Sequence, residues 1–201
     1  MNSRQAGGGG ETKRQSKIPF LKPLLLAISK FARSREVVLI GIDGAGGAGK
    51  TSLAEYLRNR LKNCAIVQLY DFYSPALQMA DLLRLKEQVL APLHNQREAS
   101  YQIYDWKAER LSDWHTLKPE VVVIIEGVYA LDQTLREYYD LKVWIEIPAD
   151  VGMERGVGRD IARDGVDNSD LRKDIWMPLE EKYRNKQKPG QCADFVLDGT
   201  Q

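Results

Sequence analysis

The sequence has 201 residues, with 29 lysines and arginines against 28 aspartates and glutamates, so its formal net charge is +1. This length fits one domain around one hydrophobic core, and the balanced charge argues against a nucleic-acid-binding protein with a broad basic face. No apolar run approaches the ~20 residues that cross a bilayer, and the two cysteines, Cys64 and Cys192, are too few for a disulfide framework. We therefore expect a cytoplasmic protein whose partners include neither a membrane nor a nucleic acid.

The chain starts with an irregular segment. Residues 1–16 lack periodicity and contain four consecutive glycines, which is typical of a flexible leader. We therefore expect residues 17–201 to form the single folded domain. Apolar residues at three- and four-residue spacings predict its first helix over 18–31.

Strands and helices alternate along the rest of the chain. A continuous β-branched run from Val37 to Ile42 predicts a strand that is buried on both faces. Further strands are expected at 65–69, 121–125, 141–147 and 193–197, and further helices at 50–61, 79–91, 150–163 and 169–187. This alternation predicts an α/β sandwich with a mainly parallel central sheet.

The segment directly after the first strand, Gly44-Ala45-Gly46-Gly47-Ala48-Gly49-Lys50-Thr51, matches the G-x-x-x-x-G-K-[ST] pattern of a phosphate-binding loop. Glycines let backbone N–H groups surround phosphate oxygens, and the following helix, which continues with Ser52, directs its positive end at the same anion. In this pattern Lys50 reaches the β- and γ-phosphates and the Thr51 hydroxyl ligates Mg²⁺. The sequence therefore predicts a nucleoside triphosphate site.

Two classes of phosphate-loop protein fit poorly. A GTPase needs an Asn-Lys-x-Asp segment, whereas the segment Asn185-Lys186-Gln187-Lys188 ends in lysine. A mechanical ATPase usually has an Asp-Glu pair at the end of its third strand, where this chain has Glu126-Gly127. A small-molecule kinase fits better.

Such a kinase needs a carboxylate for the acceptor hydroxyl and cations for the transferred phosphoryl group. Asp71 and Glu126 each end a predicted strand, at the sheet edge where ligands bind. Arg155, Arg159 and Arg163 recur every four residues and so share one face of a predicted lid helix. The alternative interpretations are a helix cap for the acids and a solvated surface for the arginines.

Together, these segments resemble the uridine kinase and phosphoribulokinase family of P-loop kinases over most of residues 36–198. The shared segments are Gly44 to Thr51, Tyr70-Asp71-Phe72-Tyr73, Tyr104-Asp105-Trp106, Ile124 to Tyr129 and Arg159-Asp160. The resemblance implies a three-layer P-loop sandwich with a helical lid. It also implies ATP- and Mg²⁺-dependent transfer of the γ-phosphoryl group to a hydroxyl of a nucleoside-like or other small metabolite.

The resemblance also implies roles for individual residues. Lys50, Asp71 and Arg159 are the expected catalytic residues, and Thr51 and Glu126 are expected to place Mg²⁺. Arg155 and Arg163 are expected to bind the nucleotide with the phosphate loop. The expected acceptor contacts are Asp43, Tyr73, Tyr104, Asp105 and Trp106.

Two positions depart from the family pattern. Tyr70 stands where the family usually has its catalytic aspartate. Three explanations are open: Asp71 acts from the neighbouring position, Asp43 shares the work, or the chain is a nucleotide-binding regulatory protein with weak or no kinase activity. Glu109 stands where uridine kinases have a base-recognising histidine. Specificity for uridine therefore does not transfer, and the acceptor stays open.

Overall fold

The computed structural model describes residues 18–74 and 79–201 of the chain, so the predicted leader, residues 1–16, lies outside the described residues. Within them, the strands are β1 (Val38–Gly44), β2 (Cys64–Gln68), β3 (Ala99–Asp105), β4 (Arg110–Leu117), β5 (Val122–Glu126), β6 (Leu141–Glu146) and β7 (Phe195–Asp198). The α-helices are α1 (Ile18–Phe31), α2 (Lys50–Arg58), α3 (Met79–Leu85), α4 (Ala91–His94), α5 (Ala149–Asp164), α6 (Ser169–Leu171), α7 (Met177–Gln187) and α8 (Pro189–Cys192). One π-helical turn, Lys86–Leu90, joins α3 to α4, and a second, Arg172–Trp176, joins α6 to α7.

The central sheet has the strand order β2-β5-β1-β6-β7, and all four of its strand pairs are parallel. Every residue of β1 is buried, as the unbroken apolar run predicts. The register pairs Ile42 of β1 with Glu126 of β5, and Gln68 of β2 with the same Glu126. The segments that follow β1, β2 and β5 therefore meet at one edge of the sheet.

Two apolar clusters cover the two faces of this sheet. One contains Leu24 of α1, Leu57 of α2 and alternate β1 residues such as Ile40. The other contains Leu39, the intervening β1 residue, together with Leu85 of α3. Because successive strand side chains point to opposite faces, helices are needed on both sides. The predicted α/β sandwich with a mainly parallel sheet is confirmed.

The prediction missed one supersecondary unit. β3 and β4 form a separate antiparallel hairpin, with Ala99 paired to Leu117 and Asp105 paired to Arg110. Most β4 side chains are exposed, so its residues show no alternation of apolar and polar types. The predicted helices 79–91 and 169–187 also prove to be composite, because a π-helical turn interrupts each. In the described part of the chain, no helix is both long and apolar enough to cross a membrane.

Candidate nucleotide and acceptor site

The phosphate loop is held in a conformation that depends on glycine. Gly49 has φ 95° and precedes the first turn of α2, so the helix begins at Lys50. Gly47 has φ 83°, and a Cβ there would lie 2.3 Å from the carbonyl oxygen of Gly152 on α5. The loop therefore packs directly on the backbone of α5 and opens toward the start of α2, where a helix favours an anion.

Lys50 lies inside this loop. Its Nζ donates to the carbonyl oxygens of Gly44 and Ala45 at 2.8 and 2.9 Å. Burial lowers the pKa of Lys50, whereas the charges of Asp43 and Glu126 favour its charged form. The ammonium group is therefore fixed at the loop before any ligand is bound.

Two oxygen atoms that suit Mg²⁺ meet beside the loop. The Thr51 hydroxyl donates to Oε1 of Glu126 at 2.8 Å, and Glu126 is 5% exposed. Among the described residues, no group of three or more histidines, cysteines, aspartates and glutamates is arranged to hold a metal. Mg²⁺ is commonly bound by one or two protein carboxylates together with phosphate oxygens and water. The pair therefore fits a Mg²⁺ ion that also binds a nucleotide.

Asp71 lies in the short 3₁₀ turn Leu69–Phe72 that follows β2. Burial raises the pKa of Asp71, the charge of Glu126 raises it further, and His115 of the hairpin acts in the opposite direction. This turn packs on the one after β5, where a Cβ on Gly127 would lie 2.5 Å from Cβ of Leu69. The Asp71 carboxylate thus lies within electrostatic reach of both Glu126 and the hairpin.

Tyr70 belongs to an aromatic cluster formed with Tyr104 and Trp106. Its ring stacks on Trp106, with centroids 5.5 Å apart, and Trp106 contacts Tyr104 edge to face at 5.2 Å. The guanidinium of Arg163 on α5 lies 6.0 Å from the Tyr70 ring centroid. The residue at the family's usual aspartate position therefore joins the hairpin to the helix that was predicted as a lid.

Three of the expected acceptor contacts have their polar atoms in internal hydrogen bonds. Asp43 is fully buried and accepts from Gly44 N at 2.6 Å, Tyr183 Oη at 2.7 Å and Leu131 N at 2.8 Å. The Tyr73 hydroxyl donates to the Val128 carbonyl. Asp105 is exposed, but its carboxylate accepts from two backbone N–H groups of the hairpin turn, at 2.9 and 3.0 Å. These contacts position the walls of the site.

The three predicted arginines do not converge. Arg155 donates to the Gly199 carbonyl at 2.6 Å, Arg159 pairs with Asp160 at 3.1 Å, and Arg163 lies near Tyr70. Burial lowers the pKa of Lys50, and the charge of Arg159 acts in the same direction. Residues at 155 and 163 are about 12 Å apart along the helix axis, so a shared face still reaches different neighbours.

Sequence reasoning missed two charged residues that contact the phosphate loop. Glu180 of α7 accepts a hydrogen bond from the Gly46 N–H at 3.0 Å. Arg172, in the π-helical turn before α7, places Nη1 3.0 Å from the position that a Cβ on Gly46 would take. Neither residue lies in a recognisable motif, because both contacts depend on how the chain returns to the loop after α5. A cavity of about 340 Å³ adjoins these two side chains, Gly44 and Trp176.

Comparisons with known proteins show the family of the chain. A model of the phosphoribulokinase / uridine kinase family matches residues 62–191. The chain is 33% identical to the inorganic pyrophosphatase TTM2 of Arabidopsis thaliana over 161 residues, which are 74% of this chain and 23% of that protein. It is 32% identical to a uridine kinase of Schizosaccharomyces pombe over 156 residues, which are 66% of this chain and 34% of that protein. The chain thus spans a quarter to a third of the length of these two relatives.

A solved structure shares the fold. The structure of a possible uridine kinase from Bacillus stearothermophilus superposes with a TM-score of 0.60, covering 88% of this chain and 100% of that one, at 21% identity. At this level of identity the likeness is one of architecture. Site chemistry has to be argued from the side chains themselves.

Proposed function

Because the chain belongs to the phosphoribulokinase and uridine kinase family, we propose that it is a kinase that transfers the γ-phosphoryl group of ATP to a hydroxyl of a small molecule. The observation that carries this proposal is the meeting of three elements at one sheet edge. These are the phosphate loop with Lys50, the Thr51–Glu126 oxygen pair, and the carboxylate of Asp71. This sheet edge therefore presents one group suited to the nucleotide, one suited to the metal and one suited to the acceptor.

The nucleotide is bound by the loop from Gly44 to Thr51 and by the first turn of α2, which includes Ser52. Backbone N–H groups receive the phosphate oxygens. Lys50 exchanges its carbonyl partners for phosphate oxygens, because an anion is the stronger partner for an ammonium group. Thr51 and Glu126 hold Mg²⁺, which supplies charge neutralisation on the phosphates when it is bound.

Asp71 orients the acceptor. In the proposed reaction the acceptor oxygen bonds to the γ-phosphorus as the bond to the β–γ bridging oxygen breaks, ADP leaves, and Asp71 takes up the hydroxyl proton. The raised pKa of Asp71 suits this role, since a general base works best when its pKa approaches the working pH. Asp43 is the weaker candidate, because three internal donors already occupy its carboxylate.

The acceptor side is built from the hairpin. Tyr101 and His115 are cross-strand partners with ring centroids 5.8 Å apart, and both interact electrostatically with Asp71. Glu109 lies in the hairpin turn with φ 51° and is exposed. A hydroxyl-rich acceptor such as a nucleoside, sugar or polyol suits this mixture of hydrogen-bonding and aromatic groups.

A coupled assay of ADP release tests the proposal. Purified protein is incubated with Mg²⁺, ATP and single acceptors from a panel of nucleosides, sugars, polyols, glycerate and pantothenate. We expect acceptor-dependent turnover that is lost in Lys50→Ala and kept in Lys62→Ala, which removes an exposed lysine just beyond α2. A rate that no acceptor raises above the Lys50→Ala background contradicts the proposal.

The second candidate function is a nucleotide-binding regulatory protein of kinase ancestry, which the aromatic stacking of Tyr70 favours. Tyr70→Asp separates the two. A large gain in turnover would mean that the native site lacks its proper carboxylate and would support the regulatory candidate. An unchanged or lower rate would support Asp71 as the working group. Tyr70→Phe, which keeps the ring, is the matched control.

A further inference from the structure

The phosphate loop already carries an anion of its own. Oε2 of Glu180 accepts a hydrogen bond from the Gly46 N–H at 3.0 Å. Gly46 is the third residue of the loop motif, and its N–H is among the donors that such a loop presents to phosphate. After the dominant effect of burial, the charge of Glu180 is also one of those that favour the charged form of Lys50. The carboxylate thus occupies a position where a phosphate oxygen would be stabilised.

A buried arginine lies next to the same glycine. Arg172 is 5% exposed, and its Nε and Nη2 donate to Oδ2 of Asp160 at 2.9 and 2.6 Å. These two bonds hold the guanidinium plane and direct Nη1 toward the loop. A Cβ on Gly46 would lie 3.0 Å from Nη1 of Arg172 and 3.3 Å from Oε1 of Glu180. Guanidinium groups bind phosphate through their planar donors, so Arg172 is prepared for an anion at Gly46.

The contact of α7 with the loop is anchored at a second point. Tyr183, three residues after Glu180 and therefore on the same helix face, donates its hydroxyl to Asp43 at the end of β1 at 2.7 Å. The ring of Tyr183 also contacts Tyr129 edge to face at 4.8 Å. Glu180 is therefore held against the loop by its helix, while the adjoining cavity of about 340 Å³ leaves room for its side chain to turn away.

We propose that the Gly46 N–H and Arg172 form the subsite for the terminal phosphate of the nucleotide, and that Glu180 is an internal anion that occupies this subsite until the nucleotide displaces it. The inference rests on the proposed nucleotide binding and is independent of the acceptor. A carboxylate and a phosphate repel each other at one donor, so binding requires Glu180 to leave. The apparent affinity of the loop for the nucleotide is reduced accordingly.

Titration calorimetry with Mg·ATP and Mg·ADP tests the role of Glu180. We expect Glu180→Gln to bind ATP roughly tenfold more tightly than the wild type, because a neutral amide makes the weaker bond to Gly46 and does not repel phosphate. The gain in affinity should be smaller for ADP, which lacks the γ-phosphate. Glu181→Gln, an exposed neighbour on the same helix, should leave both affinities unchanged. Equal ATP affinities for the two variants overturn the proposal.

A substitution of Arg172 should lower the ATP affinity, whereas Glu180→Gln should raise it. Arg172→Lys keeps the charge but loses the fixed fork, so we expect ATP affinity to fall roughly tenfold and ADP affinity to fall less, with Lys182→Ala as the exposed control. An equal loss for ADP and ATP overturns the assignment to the terminal phosphate. Because Arg172 is buried, the Tm of each variant is measured as well; the gain expected for Glu180→Gln cannot come from misfolding.

The outcomes separate this inference from the kinase proposal. Absence of turnover with every acceptor, together with tighter ATP binding by Glu180→Gln, would contradict the kinase and support the subsite. Acceptor-dependent turnover, together with equal ATP affinities of Glu180→Gln and Glu181→Gln, would support the kinase and contradict the subsite. If Glu180→Gln binds ATP and the wild type does not, the role of Glu180 as an internal anion is supported. If neither the wild type nor Glu180→Gln binds ATP, that role is overturned.

Discussion

The proposed nucleotide side of the site, which comprises the phosphate loop and Glu126, and the proposed acceptor side, which is the β3–β4 hairpin, are built in different ways. The nucleotide side follows β1 and β5, whose residues are buried throughout, and its polar groups are fixed by bonds such as Thr51 to Glu126 at 2.8 Å. The acceptor side is a two-stranded hairpin outside the central sheet, with Trp106 41% exposed. A rigid half is thus combined with a half that solvent reaches.

This difference in burial accounts for where the chain departs from the family pattern. Parallel strands in a buried sheet leave little freedom for the loop and Glu126, so we expect a change there to disrupt both the fold and the proposed nucleotide binding. We expect β4 of the hairpin to tolerate exchange, since most of its side chains are exposed. Both departures from the family pattern, Tyr70 and Glu109, lie on or against this hairpin.

The largest expected effect is at Asp71, where the two sides meet. Asp71→Asn should lower kcat by about 10² to 10⁴-fold, the usual contribution of a general base. The affinity for Mg·ATP should stay within a factor of about two or three, since no nucleotide contact is assigned to this residue. Single-turnover kinetics and calorimetry measure the two quantities separately. Loss of nucleotide affinity would show that the two sides are not independent.

The pH dependence of the rate tests the same role of Asp71. The proposed role of Asp71 as a base requires its deprotonated form, and its pKa is raised above the ordinary value of 3.8 by burial and by Glu126. The rate should therefore fall as the pH drops, and this fall should begin at a higher pH than an exposed aspartate would give. A profile without this acidic limb would remove Asp71 as the base.

The next smaller effect is expected at Asp43, which lies at the end of β1 and accepts a hydrogen bond from the first residue of the phosphate loop. Burial raises the pKa of Asp43 from 3.8 to about 6, against the opposing effects of the Leu131 and Tyr183 hydrogen bonds and Lys50. Between these values the folded state binds more protons than the unfolded state, so this carboxyl stabilises the fold fully below about pH 4 and loses that contribution as the pH rises to about 6. A pKa raised from 3.8 to about 6 corresponds to about 3 kcal/mol in the free energy of unfolding.

Urea unfolding at pH 4, 5, 6 and 7 measures this contribution. Because other carboxyl groups also titrate, the free energy of unfolding is compared between the wild type and Asp43→Asn. The destabilisation by the variant should shrink with rising pH up to about pH 6 and be constant above it. Asp113→Asn, at an exposed hairpin residue, should show no such trend. A constant difference across the range would mean that the pKa of Asp43 is the same in the folded and the unfolded protein.

The same contrast explains how much could be predicted from the sequence. β1, the phosphate loop, Glu126 and Asp71 were predictable because an unbroken apolar run marks a buried parallel strand, and parallel strands bring their carboxyl ends together. The β3–β4 hairpin was missed because exposed strands lack an apolar period. The structure confirms the fold, and the functional roles of the site residues stay predictions.

The charged residues near the phosphate loop show a second limit of prediction from the sequence. A four-residue spacing correctly predicts that Arg155, Arg159 and Arg163 share a helix, but each meets a different neighbour along its length. Arg172 and Glu180 reach Gly46 only because α7 returns across the loop after α5. Such contacts depend on the path of the chain between helices, which no local pattern records.

The smallest expected effect lies on the acceptor side. Trp106→Ala removes a stacked ring from Tyr70, and aromatic pairs contribute about 0.5–1.5 kcal/mol beyond their buried area. The KM for the acceptor should therefore rise roughly threefold to tenfold, with the KM for ATP unchanged. Trp114→Ala is the matched control, because Trp114 lies on the same hairpin and is 60% exposed. If Trp106→Ala raises the KM for ATP instead and Trp114→Ala does not, the aromatic cluster acts through Arg163 on α5, and the hairpin belongs functionally to the nucleotide side.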